Sequence, residues 1–136
     1  MQKGSAIIIL DKDGNIFLQQ KDQNAPTNPN LWALWGGACE ENESFAETAS
    51  RELKEELGIL VNYSDLKYFK EYKMERHDSE MHVSVFYMLL EDFHKPILGE
   101  GKGLGFFNEQ EIQHLRLSPF VRVVLIDFYK DHAFEL

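Results

Sequence analysis

The sequence has little cysteine and no long hydrophobic run. The single cysteine, Cys39, excludes an intramolecular disulfide and fits a reducing compartment, so we expect the protein in the cytoplasm. The apolar run at residues 5–10 ends at Asp11, which makes it too short for a membrane span, and it lacks a signal-peptide cleavage pattern. These features predict no association with a membrane.

Basic residues are also scarce. Lysine and arginine total 14 against 23 aspartate and glutamate residues, which gives a formal net charge of −9. This balance repels a nucleic-acid backbone, and no cluster of basic residues offsets it. A divalent cation can nevertheless bridge carboxylates to the phosphate oxygens of a small ligand. The composition therefore favours a small-molecule partner over a nucleic acid polymer, and it leaves a homodimer open.

The length and the overall composition are those of an ordinary folded protein. The chain has 136 residues, of which 43% are hydrophobic and 27% are charged. A chain of this size can bury a core without disulfides or a structural metal, and its composition does not favour disorder. We therefore expect a single domain over residues 1–136.

Local patterns predict strands followed by a helix, then strands and helices again. Two β-rich runs at residues 5–10 and 15–20 flank Asp11-Lys12-Asp13-Gly14 and predict a hairpin, and Gly36-Gly37 predicts a change of chain direction. The order of elements favours a mixed sheet packed between helices. The other predicted strands cover residues 67–73, 81–90 and 104–107, a short helix follows Asn108, and a final helix begins at Ser118-Pro119 and buries Val121, Val124, Leu125 and Phe128.

One helix has clear signals at both of its ends. Ser44 and Glu47 have the spacing of a capping box, in which each side chain bonds the backbone N–H of the other residue. Strong helix formers continue to Leu57, and Gly58 suits the left-handed residue that ends many helices. We therefore predict a helix from about Ser44 to Leu57.

This helix gathers carboxylates on one side. Glu52, Glu55 and Glu56 project together, beside an apolar stripe formed by Ala46, Ala49, Leu53 and Leu57. Like charges at these spacings cost roughly 0.2–0.5 kcal/mol per pair on an isolated helix, so a compensating charge is expected. Carboxylate oxygens suit magnesium or manganese, and magnesium often completes its ligands with substrate phosphates. The pattern thus predicts a divalent-metal site for phosphate chemistry.

The segment from Gly37 to Ile59 resembles the Nudix box at every defining position. It has Gly37, Glu43, Arg51-Glu52-Leu53, Glu55-Glu56 and Gly58-Ile59 at the required spacings. The resemblance implies an α/β/α sandwich with a mixed β-sheet between helices. It also implies an enzyme that uses Mg²⁺, or Mn²⁺, and an activated water to hydrolyse a phosphoanhydride bond. The implied substrate is a nucleoside diphosphate linked to another group, such as a nucleoside triphosphate or a nucleotide sugar.

The resemblance also assigns roles to residues of this chain. Arg51 and Glu43 correspond to an ion pair that supports the ligands, and Lys21 resembles a position that contacts phosphate. Glu52 is the first candidate for the general base and Glu100 the second. The implied metal ligands are the carboxylates of Glu40, Glu52, Glu55, Glu56 and Glu100 together with the backbone carbonyl of Gly37.

Some features depart from the box or leave alternatives open. Trp35 stands where the family commonly has proline, which affects the shape of the loop. Aromatic residues could stack on a nucleobase, although their ordinary role is core packing. Residues 31–37 and 99–107 look MutT-like. Cys39 keeps an isomerase of the isopentenyl diphosphate type in view, and a nucleotide-sensing domain without catalysis is a third alternative. The aromatic candidates are Trp32, Trp35, Phe106 and Phe107.

Overall fold

The computed structural model describes residues 2–76, 79–90 and 103–132, which form two compact units. The first unit contains the described residues of 2–8 and Trp35–Met88, and the second contains Ile9–Leu34, residues 89–90 and residues 103–132. Glu100 lies outside the described residues. The elements, in chain order, are β1 (Gln2–Leu10), β2 (Ile16–Gln20), β3 (Trp32–Ala33), β4 (Trp35–Ala38), α1 (Phe45–Leu57), a 3-10 turn (Tyr63–Asp65), β5 (Lys67–Arg76), β6 (Ser79–Leu89), β7 (Gly103–Phe107), α2 (Glu109–His114) and α3 (Pro119–His132).

The first unit places α1 beside β4. Strand β4 pairs antiparallel with β1, so that Ser5 lies opposite Gly37 and Ala6 lies opposite Gly36. β1 is also the neighbour of β6, which pairs antiparallel with β5. α1 packs against β4 and buries Ala49, Leu53 and Leu57. The strand that carries Gly37 is therefore held between β1 and the glutamate-rich helix.

The second unit is built around β2. This strand pairs antiparallel with the end of β1, with β3 and with β7. Trp32 adds a parallel bridge to Leu117, and α2 packs against β7. The predicted apolar face of α3 is buried, since Val124 and Phe128 are both 0% exposed. The second unit thus has a core of its own.

The predicted hairpin is confirmed, with Gly14 in the left-handed region at a φ of 82°. The predicted change of direction at Gly36-Gly37 is wrong, because both glycines continue β4. Gly36 adopts a φ of 143°, and a Cβ there would lie 2.0 Å from the Ser5 carbonyl oxygen. Glycine is therefore needed for β1 and β4 to approach each other.

No helix in the described part of the chain is long and apolar enough to cross a membrane.

Candidate active site

Helix α1 is fixed at both ends, as its sequence predicts. The Ser44 hydroxyl accepts the Glu47 N–H at 3.1 Å, and the Glu47 carboxylate accepts the Ser44 N–H at 2.9 Å. At the other end Gly58 has a φ of 68°, and its N–H donates to the Lys54 carbonyl at 3.0 Å. The charged residues between these ends therefore project from a well-defined backbone.

Arg51 and Glu43 form the ion pair that the sequence predicts. Arg51 Nε donates to Glu43 Oε2 at 2.8 Å, and Nη2 donates to Glu43 Oε1 at 3.0 Å. Nη2 also donates to the Ala38 carbonyl at 3.0 Å, so the guanidinium joins α1 to the end of β4. The hydrogen bonds from Arg51, followed by that from Thr48, lower the pKa of Glu43 to about 2. The same pairing raises the pKa of Arg51.

Three predicted metal ligands approach one nitrogen of Arg51. Nη1 lies 3.0 Å from a carboxylate oxygen of Glu52, 3.2 Å from one of Glu55 and 3.7 Å from one of Glu40. Their side chains differ in exposure, at 15%, 57% and 68% respectively. The structure therefore brings these carboxylates together around a positive charge, with Glu52 as the most enclosed of the three.

The two glycines of β4 lie against the other carboxylate groups. The Gly36 N–H donates to Glu56 Oε1 at 3.1 Å. A Cβ at Gly37 would lie 2.5 Å from Glu52 Oε1, so any larger residue would displace the Glu52 carboxylate from this position. Glu52, Glu56 and the Gly37 backbone thus belong to one small region of the first unit.

The donors in this region fit a hard divalent cation by their chemistry, because all of them are carboxylate or carbonyl oxygens. In the described part of the chain, however, no three histidine, cysteine, aspartate or glutamate side chains are already arranged to hold a metal ion. The carboxylates are not arranged around an ion because they make hydrogen bonds to other groups of the protein. Glu52 and Glu55 bond the guanidinium of Arg51, whereas Glu56 bonds the Gly36 N–H.

Thr48 also belongs to the site, although its sequence pattern does not predict this. This residue is 0% exposed on α1, and its hydroxyl donates to Glu43 Oε1 at 2.6 Å. The available signal was a polar residue next to Ala49 of the apolar stripe, five residues after Glu43 and three before Arg51. Threonine at that helical position can therefore reach back to the loop carboxylate.

Lys21 belongs to the second unit, directly after β2. Its N–H donates to the Leu31 carbonyl at 2.9 Å, and its own carbonyl accepts the Asn30 N–H at 3.1 Å. These bonds close the loop between β2 and β3 at the point from which the lysine side chain projects. A role for that side chain in phosphate binding stays a prediction.

The four aromatic candidates differ in their surroundings. Trp35 is 4% exposed and is part of the core, in place of the usual proline. Phe106 is 36% exposed and stacks on Phe17 with ring centroids 4.6 Å apart. Trp32 meets Phe107 edge to face at 5.0 Å. Core packing is therefore confirmed for Trp35.

A sequence profile of the NUDIX domain matches residues 1–132 of this chain. The chain belongs to the Nudix family. It is 29% identical over 112 residues to a CTP pyrophosphohydrolase of Escherichia coli (strain K12), with 82% of this chain and 79% of that protein covered. It is 31% identical over 100 residues to an 8-oxo-dGTP diphosphatase of Proteus vulgaris, with 73% and 83% covered. The predicted Nudix hydrolase family is therefore confirmed.

Solved structures show the same fold. The solution structure of the Escherichia coli ORF135 protein has a TM-score of 0.77 at 26% identity, covering 99% of this chain and 92% of that one. The crystal structure of a MutT protein from Methanosarcina mazei has a TM-score of 0.82 at 21% identity, covering 96% and 94%. The predicted α/β class, with a sheet and helices as in Nudix proteins, is confirmed.

Proposed function

We propose that this Nudix protein is a divalent-metal-dependent hydrolase that cleaves a phosphoanhydride bond in a nucleoside triphosphate or a nucleotide sugar. The supporting observation is the close approach of Glu52 and Glu56 on α1 to the Gly36-Gly37 backbone of β4. Two relatives are named CTP pyrophosphohydrolase and 8-oxo-dGTP diphosphatase, which favours nucleoside triphosphates as the first substrates to test.

The residues that would hold Mg²⁺, or Mn²⁺, are the predicted oxygen ligands of the box. Glu52 and Glu56 are central because both lie beside the β4 glycines, whereas Glu55 and Glu40 are more exposed. A bound divalent ion supplies charge neutralisation at the phosphate oxygens and activation of water. The carbonyl of Gly37 would complete the protein ligands.

The side chains of the chain itself carry out the proton transfer and hold the site and the substrate in place. Water attacks a phosphorus of the diphosphate, the bond from that phosphorus to the bridging oxygen breaks, and the other phosphate group leaves with that oxygen. Glu52 accepts the proton of the water, with Glu100 as the second candidate. Glu43 and Arg51 hold α1 in position against the end of β4, since Arg51 bonds both Glu43 and the Ala38 carbonyl. Lys21 would contact a substrate phosphate as a positive charge.

The experiment that tests this proposal is a panel of nucleoside triphosphates and nucleotide sugars incubated with the protein and Mg²⁺, with the products identified by mass. We expect cleavage of at least one compound, release of pyrophosphate or a nucleoside monophosphate, and loss of activity in excess chelator. Full activity in excess chelator would refute the metal requirement, and no cleavage of any compound would refute the proposed function.

A single substitution tests the metal ligands. Glu56→Gln should lower turnover by more than about 100-fold. Replacing a residue that only supports a metal ligand already lowers metal affinity or activity by about 10–100-fold, and Glu56 is a proposed ligand itself. The matched control is Glu75→Gln, an exposed glutamate on β5, which should retain wild-type turnover. Circular dichroism would verify that both variants are folded. Equal turnover in the two variants would refute the assignment of Glu56.

A further inference from the structure

Thr48 combines complete burial with a short hydrogen bond to a carboxylate. Its side chain is 0% exposed, and its hydroxyl lies 2.6 Å from Glu43 Oε1. A threonine inside a helix usually bonds a carbonyl of the preceding turn, which on α1 belongs to Ser44. That carbonyl here accepts the Thr48 N–H at 3.0 Å, while the hydroxyl donates outside the helix. The side chain is thus directed at the loop that precedes α1.

The oxygen that accepts the Thr48 hydroxyl, Glu43 Oε1, accepts three hydrogen bonds from residues that the structure describes. Glu43 Oε1 accepts Arg51 Nη2 at 3.0 Å and the Glu40 N–H at 3.0 Å, in addition to the Thr48 hydroxyl. Glu43 Oε2 accepts only Arg51 Nε in the described part of the chain, at 2.8 Å. The plane of the carboxylate is therefore set by the Glu40 N–H of the loop and by two residues of α1, Thr48 and Arg51.

The orientation of Glu43 is transmitted through Arg51. Two parallel hydrogen bonds fix the plane of the guanidinium relative to the carboxylate. Besides its bond to Glu55, the guanidinium also donates to Glu52 at 3.0 Å and to the Ala38 carbonyl at 3.0 Å. Rotation of the Glu43 carboxylate would displace both contacts, and hence the Glu52 side chain that the proposed mechanism uses.

We propose that Thr48 is a positioning residue of this enzyme, which holds the Glu43 carboxylate so that Arg51 keeps Glu52 in place. This inference rests on the proposed function for its catalytic consequence. Its structural part concerns only the orientation of Arg51, and it can be measured without substrate or metal. Thr48 does not touch substrate in this scheme, and its hydroxyl acts through Glu43.

The test uses two replacements that remove different parts of the side chain. Thr48→Val keeps the shape and removes the hydroxyl, whereas Thr48→Ser keeps the hydroxyl and removes a methyl group. The matched control is Ser50→Ala, which removes a hydroxyl on α1 that donates at 2.6 Å to the Val61 carbonyl. If Thr48 acts only through packing, Thr48→Ser should show the larger effect. If it acts by positioning Glu43, Thr48→Val should show the larger effect.

Two measurements are made on each variant. The first is hydrogen exchange of the Arg51 Nε–H by NMR in the metal-free protein, which should become about fivefold faster in Thr48→Val, as expected for the loss of one hydrogen bond. The second is Mn²⁺ binding by electron paramagnetic resonance in the absence of nucleotide, which should weaken about 10-fold. Thr48→Ser and Ser50→Ala should resemble the wild type in both measurements.

Wild-type exchange of the Arg51 Nε–H in Thr48→Val would overturn the proposal, and so would an equal change in Thr48→Ser. If the wild-type protein binds no Mn²⁺ and cleaves no nucleotide, the proposed function fails, while the exchange measurement still decides the role of Thr48. If Thr48→Val does not fold, Thr48→Cys replaces it, since cysteine donates only weakly from a similar volume.

Discussion

Tyr129 on α3 has a buried hydroxyl group with no hydrogen-bond partner among the described residues. A buried polar group without a partner costs about 1–3 kcal/mol, and the phenylalanine ring has the same shape without the hydroxyl. Tyr129→Phe should therefore raise the free energy of unfolding by about 1 kcal/mol, measured by urea denaturation at pH 7. The control is Tyr63→Phe, because Tyr63 is 53% exposed. A lower stability for Tyr129→Phe would show that the hydroxyl has a favourable contact.

The same residue makes stability depend on pH in the alkaline range. Burial raises the pKa of Tyr129, and the charge of Glu109 raises it further. In the unfolded chain a tyrosine loses its proton near pH 10. Between about pH 10 and the folded-state pKa, the unfolded chain loses this proton while the folded protein keeps it. The free energy of unfolding of the wild type is therefore unaffected by this group below about pH 10 and falls as the pH rises above it. The advantage of Tyr129→Phe over the wild type should accordingly grow above about pH 10.

Glu100 is a prediction from sequence alone. It lies between Gly99 and Gly101 in the chain, in a segment where a second base or a further metal ligand is expected. If Glu100 acts in the transition state, Glu100→Gln should lower kcat with a smaller effect on KM. If it is an ordinary surface residue, both constants should change by less than about twofold. Steady-state kinetics on the substrate found in the panel distinguish these outcomes.

Among single residues, the sequence predicts contacts that follow from spacing along the chain. Glu43 and Arg51 meet as expected, because Arg51, about two turns into the capped helix, can reach back to a residue of the preceding loop. Thr48 was missed because threonine on a helix is usually uninformative, and its bond to Glu43 depends on how the loop returns. The approach of Glu55 to Arg51 likewise depends on side-chain torsions that spacing does not fix.

At the scale of elements, the capping box of Ser44 and Glu47 fixes the residue at which α1 begins. Ser44→Ala removes the bond to the Glu47 N–H and should lower the free energy of unfolding by about 0.5–2 kcal/mol. Urea denaturation measures the change. Ser64→Ala, in an exposed 3-10 turn, should shift it by less than about 0.5 kcal/mol. Equal midpoints for the wild type and Ser44→Ala would show that the cap contributes little.

The elements also show what local patterns leave out. α1 was predicted nearly to the residue because its start and end are encoded by neighbours in the chain. β4 was missed because its Trp35-Gly36-Gly37 sequence contains two poor strand formers, and its pairing partners lie far away on β1. A strand stabilised by a distant partner has no local signature of this kind. The close approach that requires Gly36 is evident only from that partner.

At the scale of the whole molecule, the excess of acidic residues gains a local meaning. The net charge of −9 suggested a cation as a partner, and the carboxylates of Glu40, Glu52 and Glu55 do collect around a positive charge. That charge is the guanidinium of Arg51, which composition could not indicate. The metal site is thus predicted from sequence as a set of residues, whereas their arrangement comes from the fold.

Arg51 therefore acts as a counter-ion that the chain carries within itself. Because its guanidinium already offsets the mutual repulsion of the box glutamates, α1 does not depend on an incoming ion to become folded. This differs from a small zinc domain, where metal binding supplies the free energy of folding. In the proposed site, a divalent ion would meet a Glu52 carboxylate that this guanidinium already orients. We therefore expect folding of this protein and binding of the proposed divalent ion to be separate events.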